Sequence, residues 1–348
     1  MRTDAGREDL HSSGFTRRDF FRLSAGAATA LSSGLFYGCS SRAGLPREVS
    51  PNPFVDHGRP LLVSVHGEDL RSMLKAGIEA LGGLDPLSHM GKEVVLRGNY
   101  VAKQPYPVTT DPEFIVTVAG ELRQAGFGRT TLFDSHGTYL MPNVLPEGTL
   151  RKLGVIERVK EVGVEVVTRD FLDPDEFHFV RSPKWQIQSR VGVYKLLHEA
   201  PVIISLPVVK RHGEARFTCA LKMHFGSVSM ADRMVAHKEG HGHRQDYFDQ
   251  RVAHFADTTK PQLTIVDARA LLARQGPAIS AGSEVVRGVN RLILSGDMAA
   301  VDAYCSRLMA RHDPTFSVEM IKGQLRHAAS LGLGMPDLDR VKVVEIQA

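Results

Sequence analysis

The sequence predicts an α/β fold, a largely parallel or mixed sheet with helices on both faces. Three observations predict it. Short apolar runs of strand length alternate with segments of helical spacing along most of the chain. The run Val202–Leu206 is apolar almost throughout, as expected of a strand buried on both faces. No internal repeat interrupts the alternation. The composition agrees: 348 residues, 43% hydrophobic and 24% charged, suit a globular chain with a sizeable core and exclude a disordered one. A net charge of +4, from 43 basic and 39 acidic residues, is too balanced for a nucleic-acid partner. No apolar run is long enough to span a bilayer.

Thr16-Arg17-Arg18-Asp19-Phe20-Phe21-Arg22 opens a weakly apolar stretch of Ala, Gly and Ser that ends near Phe36. Paired arginines before a short apolar core resemble a twin-arginine export signal. Residues 1–38 are therefore expected to engage the twin-arginine translocase and carry the protein across the cytoplasmic membrane, to the periplasm or cell envelope. Cys39 follows Gly38, as at a lipoprotein processing site; lipidation there would anchor the protein, and a plain signal-peptidase cut nearby is the alternative. Residues 39–59, rich in Pro, Ser and Gly, read as a tether. Residues 60–348 read as one α/β domain.

The elements follow in order. Leu61–Val65 is a strand. Glu68–Leu81 has helical spacing, with Leu70, Leu74, Ile78 and Leu81 on one face, and Gly82-Gly83 ends it. Glu93–Leu96 is a strand. Asp111-Pro112 provides an N-cap and a first-turn proline for a helix running to Gln124. Thr130–Phe133 is a strand, Leu150–Val162 a helix, and Val164–Val167 and Val202–Leu206 strands. A His-rich, Gly-punctuated insertion near 211–250 is expected to be loop-like, because a connection so long is usually functional. Gln245–Asp257 is a helix; Leu263–Val266 and Arg291–Leu294 are strands. Ala299–Arg311 and Phe316–Ala329 are helices, and Val341–Ile346 closes the chain as a strand.

Ligands of open parallel sheets bind beyond the carboxyl ends of the strands. Five strand ends carry polar groups: Asn99, Asp134 with His136, Lys210 with Arg211 and His212, Asp267, and Asp297. Asn99 and Asp134 serve turns and caps as readily as sites. Lys210, Arg211 and Lys222 suit a carboxylate or phosphate. Lys222 lies between apolar neighbours, where a lysine loses its charge more easily and can act as an acid or base. Asp134, Lys222 and Asp267 are thus the candidate catalytic residues, and Asn99, Lys210 and His212 the candidate ligand-binding ones. Six of fifteen histidines fall between His212 and His254. His212, His241 and His243 could hold a divalent metal such as zinc, against a surface or proton-handling role; Gly240 and Gly242 argue for a loop around His237 and His241. Cys219 and Cys305 read as buried free thiols, and the chain has no set of iron–sulfur cluster ligands. Walker, dinucleotide-binding and nucleophile-elbow motifs are absent.

Three blocks together resemble the domain-of-unknown-function family DUF362. The first, residues 94–135, has a strand, then Thr110-Asp111-Pro112, a helix and a strand ending in Asp134; Arg97-Gly98-Asn99 replaces the family's Lys-Pro-Asn. The second, residues 204–229, matches at Lys210, His212, Thr218, Lys222 and Gly226, with Met223 where Asn is usual. The third matches at Asp267, Gly276, Pro277, Asp297 and Asp302. Many members carry a ferredoxin-like segment, which this chain lacks. The combined expectation is an exported α/β protein that binds a small anionic or metal-linked ligand at the strand ends and acts as an enzyme. The alternative is a non-catalytic accessory protein of a redox or membrane-associated system.

Overall fold

The computed structural model describes residues 43–135, 146–169, 173–241 and 244–348, without the side chains of 239–241. The strands are β1 (Val55–Asp56), β2 (Arg59–His66), β3 (Val94–Gly98), β4 (Thr130–Ser135), β5 (Glu165–Arg169), β6 (Phe177–Val180), β7 (Val191–Tyr194), β8 (Val202–Leu206), β9 (Val208–His212), β10 (Arg216–Thr218), β11 (Leu263–Ala273), β12 (Glu284–Val286), β13 (Arg291–Ser295) and β14 (Lys342–Gln347). The helices are α1 (Leu70–Ala80), α2 (Asp85–Ser88), α3 (Pro112–Gln124), α4 (Pro146–Lys152), α5 (Val155–Lys160), α6 (Lys195–Glu199), α7 (Met230–His241), α8 (Gln245–Thr259), α9 (Met298–His312) and α10 (Lys322–Ser330).

One mixed sheet organises the chain, in the order β1-β2-β13-β11-β8-β3-β4-β5, with β14 on β2, and β9 and β12 on β11. Strands β11, β8, β3, β4 and β5 run parallel. The period-two alternation of strand side chains shows why both faces carry helices. Leu62, Val266 and Ile293 point into a core shared with α8, α9 and α10. Val63, Ile265, Leu292 and Leu294 point into the opposite core, with α1, α3 and α5. The fold is α/β, as the alternation predicts.

Local chemistry sets the helix ends. Asp69 caps α1 by accepting the Ser72 N–H at 2.8 Å, and Asp111 caps α3 through Glu113 N, with Pro112 in the first turn. The helix expected over Leu150–Val162 is instead two short ones. Gly154 sits between them at φ +68°, a left-handed conformation that α-helical hydrogen bonding does not continue through.

Four expectations are corrected. The segment read as a tether packs on the body from Ala43 onward: Arg47 is buried, donating five hydrogen bonds to the carbonyls of Ala200, Pro201, Thr259 and Lys260, and Phe54 is buried too. The stretch near 211–250 is not a loop. It holds β9 and β10, paired antiparallel, then α7 and the start of α8. His237 and His241 lie in α7, so Gly240 does not prevent a helix there. Asp297 does not share the rim of the parallel strands. β13 is antiparallel to β11, with Ser295 opposite Thr264, so its carboxyl end lies at the other edge, where Asp297 caps α9.

Arg47→Ala should strand those carbonyls and lower the unfolding free energy by about 2–4 kcal/mol, measured by urea denaturation. An unchanged midpoint would return residues 43–59 to the status of a tether.

Candidate functional site

The carboxyl ends of β3, β4 and β8 meet at one edge because these strands are parallel and adjacent. Thr110 stitches two of them together: its Oγ1 accepts the Asn99 N–H at 2.8 Å and donates to the Leu206 carbonyl at 2.8 Å. Beyond β8, Pro207 ends the strand and β9 carries the chain along β11. A cavity of ≈ 60 Å³ opens here, walled by Arg97, Asn99, Tyr100, Lys210, His212, Thr218 and Lys222.

Arg97 is the structural centre of this rim. Its Nη1 lies 3.2 Å from Asp134 Oδ1 on the neighbouring strand, and both side chains are almost fully buried. Its Nη1 also donates to the Gly98 carbonyl. Burial lifts the Asp134 carboxyl to about 7, although Arg97 pulls the other way. A Cβ on Gly226 would stand 1.7 Å from Arg97 Nη2, so the chain passes the guanidinium only as glycine. A Cβ on Gly98 would strike the Tyr100 ring. Asp134 therefore backs Arg97 and does not line the cavity.

The two lysines differ. The Lys210 Nζ donates to Asn99 Oδ1 at 3.1 Å and to the Val108 carbonyl at 2.5 Å. Burial holds its pKa well below the usual lysine value, and Lys222 nearby adds to the effect. Among the described residues, the Lys222 Nζ has neither a hydrogen-bond acceptor nor an ion-pair partner. It lies 3.4 Å from the Phe225 ring centroid, and the residue is 7% exposed. Burial lowers its pKa to about 7, with Glu214 opposing and Arg233 reinforcing the shift.

Segment Lys222–Ser227, a short 3-10 helix, is fixed from three sides. Asp302 on α9 accepts the N–H groups of Ala220 and Leu221 at 2.7 and 3.2 Å. Ser135 Oγ on β4 donates to the Gly226 carbonyl at 2.5 Å, and Arg233 on α7 donates to that same Oγ at 2.8 Å. Cys219 precedes the segment and contacts Cys305 on α9; both thiols are free and buried.

His212 accepts the Ala215 N–H at Nδ1, at 3.2 Å, and that nitrogen is 3.3 Å from Glu214 Oε2. Burial, then Lys222, holds His212 well below its usual pKa, so the ring is neutral. Glu214 also faces His237 at 3.5 Å and is lowered to about 2, chiefly by that contact. His243 and the His241 side chain lie outside the described residues. Among the described residues, no group of three or more His, Cys, Asp or Glu is placed to hold a metal ion.

The structure thus gathers Asn99, Lys210, His212 and Lys222 around one cavity, with Asp134 one step behind. Asp267 is the exception. It is buried on β11, but its carboxylate is bound by Arg269, at 3.0 and 2.7 Å, and Arg269 also bridges Asp111. It does not line the cavity, so the catalytic assignment made from sequence is corrected to a structural one. Sequence reasoning missed Tyr100, Glu214 and Arg233, and did not use Arg97. The Gly98 and Gly226 flanks are the sequence signal that close packing occurs there.

The chain is 25% identical over 245 residues to a thylakoid-associated protein of Synechocystis sp., an alignment covering 69% of this chain and 70% of that one. Among solved structures it is similar to the lactate racemase apoprotein from Thermoanaerobacterium thermosaccharolyticum, with a TM-score of 0.44 and 12% identity. That superposition covers 72% of this chain and 60% of the racemase. The family described as "Domain of unknown function (DUF362)" matches residues 94–307, from the first strand of the rim through most of α9, and the chain belongs to that family.

Proposed function

We propose that the protein binds a small carboxylate- or phosphate-bearing ligand in the rim cavity and acts on it as an enzyme, with Lys222 handling the proton. One observation carries this reading: residues that bear donors without partners surround a single cavity. Arg97 Nε, Tyr100 Oη and Thr218 Oγ1 are buried with no hydrogen-bond partner among the described residues, and all three residues line the cavity. The Lys222 amine joins them. Each unmade buried hydrogen bond costs about 1–3 kcal/mol, so three around one cavity call for a ligand rich in acceptors. Arginine and lysine together favour an anion. His212, held neutral by burial, is a further wall of the same cavity. The reading further takes Thr16–Arg22 as a twin-arginine signal and Cys39 as a lipid attachment site, on the sequence pattern alone.

Oxalate, fully ionised above pH 5, is a suitable probe. At about 100 times its Kd it should stabilise the protein by about 2.7 kcal/mol in a thermal-shift or denaturation assay. Lys222→Met removes a buried amine that has no partner, so the apo protein should keep its stability while oxalate stabilisation is lost. A folded Lys222→Met protein that still responds fully would sink the reading.

The pH dependence has a definite sign. An anion favours protonated lysine, and Lys222 is half-deprotonated near pH 7, facing Glu214, Arg233, His212 and Lys210. Binding above that pH requires proton uptake, so the oxalate Kd should rise by up to about tenfold per unit from pH 7 to 9. Calorimetry in buffers of different ionisation enthalpy would register the proton.

Export is tested separately. Changing Arg17 and Arg18 together to Lys should leave the protein in the cytoplasmic fraction after cell fractionation, and undiminished export would exclude the twin-arginine route.

A further inference from the structure

We propose that Lys222 is a covalent nucleophile: its amine forms an imine with the carbonyl carbon of a small oxo-carboxylate whose carboxylate is held by Arg97 and Lys210. This rests on the anion-binding reading of the same cavity and adds the substrate class and the bond formed.

The geometry separates the two lysines by role. Lys210 spends its protons on Asn99 Oδ1 and the Val108 carbonyl, which fixes its nitrogen as a donor. Lys222 has no acceptor among the described residues. Its nitrogen sits over the Phe225 ring, beside Met223, in a wall with no carboxylate in ion-pair range. A poorly solvated amine with its lone pair unengaged is what addition to a carbonyl requires. A lysine is brought to that state by an apolar setting and by neighbouring positive charge. Both are present, because burial and Arg233 lower the Lys222 pKa to about 7. Arg97 Nε and Thr218 Oγ1, both without partners, supply acceptor-seeking groups for the oxygens of the substrate.

Size narrows the class. One water needs about 10–15 Å³ of cavity, so ≈ 60 Å³ takes about four to six heavy atoms. Glyoxylate and pyruvate fall in that range. The step balances without any co-reactant. The nitrogen lone pair forms the C–N bond, the carbonyl π bond breaks, and the oxygen leaves as water carrying both amine protons, which leaves a neutral C=N.

The test traps the imine. The full chain is incubated with pyruvate or glyoxylate and reduced with sodium borohydride, and its peptides are mapped by mass spectrometry. The expected result is an N-carboxyethyl or N-carboxymethyl group on Lys222, at a yield at least about tenfold above any other lysine, as a desolvated amine predicts. Excess oxalate should suppress it. Lys222→Arg keeps a cation but no neutral amine, so it should retain oxalate stabilisation and lose the adduct. Should that variant not fold, the wild-type map alone decides. Stabilisation by pyruvate and oxalate with no adduct on Lys222, or with adducts spread evenly over exposed lysines, would overturn the covalent step and leave the anion site standing. Neither stabilisation nor adduct would overturn both.

Discussion

Arg97 and Asp134 face each other from adjacent parallel strands with almost no solvent on either side, and the rim depends on that pairing. Two charges removed from water gain little net stability from meeting, but the loss of either partner is costly, of order 3–5 kcal/mol. The pair therefore acts as a constraint more than as a source of stability. It requires Gly226 at the closest approach, and it places Arg97 over the Phe133 ring at 5.8 Å. It also leaves Arg97 Nε as a donor with nothing to bind. Burial pushes Asp134 toward neutrality, which is the direction desolvation imposes on any enclosed carboxyl. Whatever enters the cavity meets a guanidinium whose balancing charge, Asp134, lies behind it.

The segment bearing Lys222 inherits its position from this arrangement. Ser135 follows Asp134 on the same strand, and its hydroxyl bonds the Gly226 carbonyl and receives Arg233 from α7. Asp302 holds the other end of the segment from α9. Two elements distant in sequence, β4 and α9, together with α7 just downstream, thus fix one short 3-10 helix, and the backbone that carries the amine is held in place. Desolvation that a mobile lysine would escape is imposed on this one. The cost is offset by the hydrogen bonds that anchor the backbone on either side of the amine, at Ala220, Leu221 and Gly226.

Much of the fold was legible because strands and helices write different periods into the chain. The alternation of Leu62 with Val63, and of Ile293 with its neighbours, marks two cores, and Asp111-Pro112 marks a helix start correctly. Strand direction is not written in that way. Arg291–Leu294 reads the same in either sense, so Asp297 looked like a rim residue until pairing with β11 placed it at the opposite edge. The β9–β10 hairpin and α7 were hidden for another reason. Their residues are basic, His-rich and interrupted by glycine, and tertiary contacts of Phe217, Phe225 and Phe248 override those weak local preferences. In the site, residue type and strand-end position sufficed for Asn99, Lys210, His212 and Lys222. They failed for Asp267, because a carboxylate's partner is settled by which arginine folds back on it, here Arg269 two residues away.

The two lysines show why a cavity lined with cations need not be strongly positive. Desolvation lowers both, and each charge that remains makes the next harder to keep, which is how Lys222 acts on Lys210. The net charge of the empty cavity is thus set by exclusion of water as much as by composition. An anion that supplies the missing counter-charge draws protons back onto the amines, whereas a carbonyl engages Lys222 in its uncharged form. A substrate carrying both groups would use both states at once, the charged one for grip and the neutral one for bond formation. Asn99 Oδ1 and the Val108 carbonyl accept from Lys210, and among the described residues no acceptor stands at Lys222. The division of labour between two chemically identical side chains is therefore imposed by which backbone and amide oxygens the fold delivers to each.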